Sequence, residues 1–180
     1  MLYYQDRLEF ASNMPAGIVA EIGVQWGKHA SIILEQCRPT KLYLIDCWEF
    51  QPGVYEEDPA DVRDQNPIYQ SVLDRFANVP SVEIRKMYSL QAASTFPDEY
   101  FDWVYIDANH SRAAVWADMK AWWPKVKTNG YLCGHDYINI EFIQVKRTVD
   151  EFCATYHAKL HALTREKLSS WAIKKYKLFK

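Results

Sequence analysis

The sequence predicts an α/β protein, a parallel sheet with helices on both faces, and three observations carry that reading. Short apolar runs rich in β-branched and aromatic residues recur at Ile18–Ile22, Lys41–Ile45, Ser81–Ile84, Phe101–Ile106 and Tyr131–Cys133. Most lack alternation, as strands buried on both faces do. Segments of helical period separate them, and strands alternating with helices build parallel sheets. The chain then closes on two extended runs, Leu160–Leu163 and Trp171–Tyr176, parted by Thr164–Ser170, which read as an antiparallel hairpin added to one edge.

The elements follow in order. The first strand runs into Glu21-Ile22-Gly23-Val24-Gln25-Trp26-Gly27, a tight turn with glycines four apart, and a helix over Gly27–Cys37. The second strand ends on a carboxylate, Asp46, which completes the first half of a nucleotide-binding βαβ unit and suits a ribose diol. Ile68, Val72 and Phe76 mark the next helix, and Ser89–Ser94 a short one. Val115, Met119, Trp122 and Val126 share a stripe of a helix over Arg112–Val126, with Pro124 in its last turn and Asn129-Gly130 as its stop. Val145, Val149, Phe152 and Cys153 mark a further amphipathic helix. The sum is a Rossmann-like three-layer sandwich with a seven-stranded, mostly parallel sheet and an antiparallel C-terminal hairpin, one domain over 1–180. Trp116, Trp122 and Trp123 belong to its core, and His29, His157 and His161 read as structural.

Bulk properties exclude several classes. With 180 residues, 49% of them hydrophobic and seven tryptophans, the chain is sized for one well-filled core rather than disorder. A formal charge of −2 gives no electrostatic case for nucleic acid, and the lysines near the C-terminus read as a solvated end. No apolar run approaches about 18 residues, so no membrane span is expected. The start lacks a basic-then-apolar leader. Cys37, Cys47, Cys133 and Cys153 are widely spaced, without a C-x-x-C pair, which points to reduced thiols in the cytoplasm. The abundant aromatics suit either a core or a homo-oligomer interface.

The glycine pattern discriminates between cofactors. A dinucleotide pyrophosphate wants G-x-G-x-x-G and a bare helix N-terminus, and the third glycine is missing here, which disfavours a nicotinamide-dependent reductase. A sulfonium cofactor has no phosphate and carries positive charge, so Glu21 before the turn suits it. Asp107, His110, His135 and Asp136 fall at the carboxyl ends of two strands expected to be neighbours. Two carboxylates with oxygen co-ligands suit Mg²⁺, and histidine moves the preference toward Mn²⁺ or Zn²⁺. The alternatives are local: Asp46 or Asp107 as caps, His110 as a backbone partner, His135 and Asp136 as turn residues. The connection Cys47–Pro67 is long, acidic and without period, and it leaves the ligand-binding edge, so a lid is expected there.

At this point the residues match a family. The run Phe101-Asp102-Trp103-Val104-Tyr105-Ile106-Asp107-Ala108-Asn109-His110-Ser111 continues through Asp118, Trp122-Trp123-Pro124 and Asn129-Gly130 to Gly134-His135-Asp136-Tyr137. With the E-x-G-x-x-x-G turn, it resembles class I S-adenosylmethionine-dependent methyltransferases, in particular the group related to macrocin-type sugar O-methyltransferases. The resemblance implies that Glu21, Gly23 and Gly27 surround the methionine part of the cofactor and that Asp46 holds the ribose. It further implies Cys47 and Trp48 near the adenine, Ser89 at its edge, and Asp107 beside the transferred methyl group. Arg112 and Ala113 stand where relatives often have a tyrosine and an acid, and Asn129 replaces a common glycine. The functional expectation is O-methylation of a small hydroxylated molecule, a sugar or natural product. S-adenosylmethionine is the donor, Asp107 and Asp136 hold Mg²⁺ or Mn²⁺, and His135, Asp136 and His110 are catalytic. The competing expectation is a non-catalytic S-adenosylmethionine-binding sensor or assembly protein.

Overall fold

The computed structural model describes residues 1–50 and 64–177. The elements are β1 (Leu2–Tyr4), α1 (Arg7–Ser12), β2 (Ile18–Ile22), α2 (Lys28–Ile32), β3 (Lys41–Asp46) and α3 (Asn66–Phe76). They continue with β4 (Val82–Lys86), α4 (Ser89–Ser94), β5 (Phe101–Ile106), α5 (Arg112–Trp122), β6 (Val126–Gly134), α6 (Val145–Thr155), β7 (Leu160–Thr164) and β8 (Trp171–Lys174). The sheet order is β1-β7-β8-β6-β5-β2-β3-β4. Pairs from β4 through β6 are parallel, while β8 runs antiparallel to both β6 and β7.

Side-chain alternation makes two cores from one sheet. Ala20, Ile22, Tyr43, Ile45, Val104 and Ile106 face α4, α5 and α6, where Ala92, Met119, Trp122, Val149 and Phe152 are buried. Val19, Leu42, Leu44, Trp103 and Tyr105 face α1, α2 and α3, where Phe10, Ile33, Val72 and Phe76 are buried. The three-layer sandwich is therefore present. The tryptophan stripe is core too: Trp122 is fully buried, and Trp116 and Trp123 pack edge-on against Phe152.

Four details differ from the sequence expectation. An eighth strand, β1, pairs parallel with β7. The hairpin is consequently not the outer edge: β8 sits beside β6, and β1 lies beyond β7. Asn129-Gly130 lies inside β6 rather than ending a helix. Asn129 has φ +69 at the bulge opposite Phe101/Trp103, and a Cβ on Gly130 would stand 2.5 Å from the Asp102 carbonyl. The helix before it ends earlier, in a 3-10 turn over Trp123–Lys125 that contains Pro124. Finally, the helix after the glycine turn widens to π geometry over Ile33–Cys37, ending on Arg38 at φ +53. Of the expected lid, residues 51–63 lie outside the described residues. Among the described residues no helix is long and apolar enough to cross a membrane, and all four cysteines are free thiols.

Candidate active site

The carboxyl ends of β2, β3 and β5 open onto a cavity of about 690 Å³, within the range that encloses small-molecule ligands. Of the expected residues, Glu21, Gly23, Asp46, Cys47, Ser89, Asp107, His110 and His135 line it. The two glycines of the turn serve different ends. Gly23 (φ +85) lets the β2 end approach the β5 end: a Cβ there would stand 2.1 Å from the Asp107 carbonyl oxygen. Gly27 (φ +70) does not line the cavity; its missing side chain makes room for Phe76 of α3.

Asp46 is wired to backbone. Its Oδ2 accepts from the N–H groups of Val24 (2.8 Å) and Gln25 (2.9 Å), and its Oδ1 from Trp48 N–H (2.8 Å). Gln25 (φ +48) and Trp48 (φ +42) are left-handed, a conformation costing such residues roughly 1–3 kcal/mol, so this carboxylate offsets the strain of both loops. A carboxylate offers about four lone-pair sites, and three are engaged here, leaving one for a ligand hydroxyl. Trp48, expected near the adenine, points elsewhere. It is 2% exposed, packs at a tilt against Tyr69 with ring centroids 4.7 Å apart, and donates Nε1–H to the Gln25 carbonyl. The left-handed backbone turns the indole into the core and leaves Cys47 and Glu49 on the cavity side, with Tyr88 donating its hydroxyl hydrogen to Glu49.

The other end of the site is wired to titratable side chains. His110 Nε2 lies 3.3 Å from Asp107 Oδ1 and 3.1 Å from Asp136 Oδ2. His135 Nδ1 lies 3.1 Å from Asp136 Oδ1 and 3.8 Å from Asp107 Oδ2. Burial pulls the Asp107 carboxyl upward, but the hydrogen bond from His110 and the charges of His135 and His110 outweigh it and hold it below its ordinary value. Burial pulls His110 down, and its bond to Asp107 with the charges of Asp107 and Asp136 outweighs that and raises it. Ligand atoms of Asp107, His110 and Asp136 all lie within 4.8 Å of one another. Asp136 Oδ1 is buried and, though near His135, makes no aligned hydrogen bond among the described residues. A buried carboxylate oxygen without a donor suits a cation, so this donor set fits a divalent ion. Asp136 sits at φ +54, a conformation that aspartate tolerates better than most residues.

Ser89 ties the α4 start to α5. Its hydroxyl donates to Asp118 Oδ1 (2.5 Å) and accepts from Trp122 Nε1–H (2.9 Å). Asp118 lines the cavity, and burial pushes its carboxyl up to about 6, opposed by the Ser89 bond.

His29 and Arg7 are among the cavity residues that escaped the sequence reading. His29, expected to be structural, is 7% exposed and places Nδ1 3.2 Å from Glu21 Oε1. An acid and a histidine flanking the glycine turn were the available signal. Arg7 on α1 also lines the cavity and carries no local signal, because the fold alone brings it there.

Comparison with known proteins bears on the family and the fold. A family model described as a methyltransferase domain matches residues 20–137, more than half of the chain. The fold is similar to that of the O-methyltransferase NovP, with a TM-score of 0.67 and 20% identity over 95% of this chain and 80% of that one. It is similar to a Corynebacterium glutamicum protein, with a TM-score of 0.65 and 16% identity over 96% of this chain and 80% of that one. It is also similar to the N-methyltransferase NodS from Bradyrhizobium japonicum WM9, with a TM-score of 0.62 and 10% identity over 95% of this chain and 92% of that one. At such identities these likenesses are of fold. No relative was found among curated proteins. The glycine turn, the strand-end acids and the matched span together place the chain in the methyltransferase-domain family, as a class I S-adenosylmethionine-dependent methyltransferase.

Proposed function

We propose that the chain methylates a hydroxyl oxygen of a small acceptor, a sugar or natural product of the kind that macrocin-type O-methyltransferases use, with a divalent ion at Asp107, His110 and Asp136. The observation that carries this reading is the half-buried carboxylate–histidine cluster, which follows the ends of β5 and β6 and opens through Asp107 and His110 into the same cavity as the glycine turn. A hydroxyl is a poor nucleophile until it loses its proton, so transfer to oxygen needs a base or a Lewis acid, whereas a neutral amine needs neither.

When bound, the cofactor supplies an electrophilic methyl group and Mg²⁺ or Mn²⁺ acidifies a hydroxyl. The chain's own residues do the rest. Asp107, His110 and Asp136 hold the cation, and the histidine ligand inclines the choice toward Mn²⁺. His135, whose Nδ1 lies 3.1 Å from Asp136 Oδ1, lines the cavity and is the base that takes the acceptor proton. Glu21 and Gly23 border the cofactor's amino-acid end, Gly27 sets the turn, and Asp46 with Cys47 borders its ribose and adenine. Ser89 stands at the adenine edge.

The test is transfer of labelled methyl from S-adenosylmethionine to a panel of sugars and phenols with Mn²⁺ or Mg²⁺. We expect O-methylated product, lost on chelation and reduced roughly 100-fold or more in His135→Ala. Cofactor binding with no transfer to any hydroxyl sinks the catalytic reading and leaves a binding protein. Transfer that ignores chelation removes the metal.

A further inference from the structure

We propose that Trp171, on the C-terminal hairpin, is a positioning residue: its indole N–H holds the backbone turn from which His135 and Asp136 project. The inference rests on the reading of Asp107, His110 and Asp136 as a cation site beside His135, and concerns what keeps that site in shape.

The turn begins where a ladder stops. β6 and β8 pair antiparallel from Tyr131↔Lys174 to Gly134↔Trp171, the last pair. One residue further on, the His135 N–H still donates to the Ile106 carbonyl, at 3.2 Å, but the pairing with β8 is over. There the Trp171 side chain takes over from backbone. Its Nε1–H donates to the His135 carbonyl at 3.0 Å, within the protein interior. Trp171 is fully buried and His135 nearly so. A buried carbonyl needs a donor, and the indole supplies it.

The surroundings fit the indole to this task. Gly134 makes room for it: a Cβ there would stand 2.6 Å from Trp171 Cζ2. Asp136, the next residue after His135, is left-handed at φ +54, a conformation that lasts where the surroundings fix it. On its far side the Tyr137 N–H donates to the Ser169 carbonyl at 2.9 Å. Ser169 and Trp171 belong to the same hairpin, so two bonds from one element bracket Asp136, one before it and one after. The turn so held places Asp136 Oδ2 3.1 Å from His110 Nε2 and Oδ1 3.1 Å from His135 Nδ1. Trp171 does not itself line the cavity, so it acts through that backbone alone.

A buried tryptophan also steadies a fold, and Trp103 separates the two roles. It is equally buried in the same sheet, and its Nε1–H donates to the Pro15 carbonyl at 3.1 Å. Pro15 precedes β2, at the opposite edge of the sheet from the cluster.

The test compares Trp171→Phe with Trp103→Phe in the intact protein, each losing one indole N–H. Mn²⁺ affinity, read by electron paramagnetic resonance, is expected to weaken about 10- to 100-fold in Trp171→Phe, as when a group that orients a metal ligand is removed. In Trp103→Phe it should stay within about twofold, and S-adenosylhomocysteine affinity within about twofold in both, which also shows that both are folded. Amide hydrogen exchange at Tyr137, measured without metal, should quicken about tenfold in Trp171→Phe alone. Should Trp171→Phe not fold, replacing Trp171 by benzothienylalanine keeps the bicyclic shape and still removes the N–H. Equal Mn²⁺ affinity in wild type and Trp171→Phe, or an equal loss in both variants, overturns the proposal. A wild type that binds no Mn²⁺ sinks the cation site instead. Tyr137 exchange then decides alone whether Trp171 holds the turn, and exchange as slow as in Trp103→Phe overturns it.

Discussion

Asp46 and Asp107 occupy the same position in the pattern, each a carboxylate at the tip of a buried parallel strand, yet they are wired to different chemistry. Asp46 accepts three backbone N–H bonds and steadies two left-handed loop residues. Asp107 faces His110 and His135 and shares both with Asp136. The strand delivers the acid, and the neighbouring loops decide its task. Around Asp46 they supply backbone donors, which fix a shape. Around Asp107 they supply groups that gain and lose protons or hold a metal.

The contrast breaks first at Asp107. Asp107→Asn keeps the volume and removes the charge that both histidines face. Methyl transfer is expected to fall about 1,000-fold, because several kcal/mol of barrier depend on that cluster. A loss under tenfold would put Asp107 on a level with a capping residue.

Asp46→Ala probes the other side. Three N–H groups lose a charged acceptor, a cost of about 3 kcal/mol. For a chain of this size that lowers the melting temperature by roughly 6–12 °C. An unchanged melting temperature would deny Asp46 its structural role.

A pH series sharpens the comparison, because only one of the two sites contains histidine. His110 has a raised folded pKa, above its ordinary 6.5, owing to Asp107 and Asp136 outweighing burial. Without metal, the stability gained from that pair is fully present below about 6.5 and is lost as pH rises through the folded value. Metal binding needs neutral His110, so the sign reverses. Mn²⁺ affinity should drop about tenfold per unit as pH falls below the folded value, and stay level above it. An affinity flat across that range would remove His110 from the ligand set.

The smallest effect belongs to Asp118. Burial pushes its folded pKa up to about 6 from 3.8. The resulting stability is complete below 3.8 and lost as pH rises through about 6, so the ionised form at pH 7.5 is the strained one. Asp118→Asn should raise stability at pH 7.5 by on the order of 2 kcal/mol and change little at pH 4, as read by thermal melts. Equal melting shifts at both pH values would contradict this.

Much of the fold was legible because its strands are buried on both faces and its helices carry clean apolar stripes. The stripe of Val115, Met119 and Trp122 is buried as expected. What escaped was written in long-range pairing. Leu2–Tyr4 has no strand pattern of its own and becomes β1 only by pairing with Ala162–Thr164. Asn129-Gly130 carries a stop signal in sequence, but Asn129 N–H bonds the Lys175 carbonyl, which makes it a bulge within β6. The cluster of Asp107, His110, His135 and Asp136 was readable because all four follow strand ends. Trp48 was misplaced because its left-handed backbone is not visible in its residue type. His29 was passed over because a helical histidine on its own says nothing about a glutamate eight positions earlier.

A Mn²⁺ titration followed by electron paramagnetic resonance, on the wild type, Asp136→Asn and Asp46→Asn, tests the division between the two strand ends most directly. The wild type and Asp46→Asn should each bind about one ion per chain, and Asp136→Asn, whose asparagine tolerates the left-handed backbone, should bind none. A wild type that leaves the manganese signal free, or an Asp46→Asn that loses the ion as completely as Asp136→Asn, would contradict it.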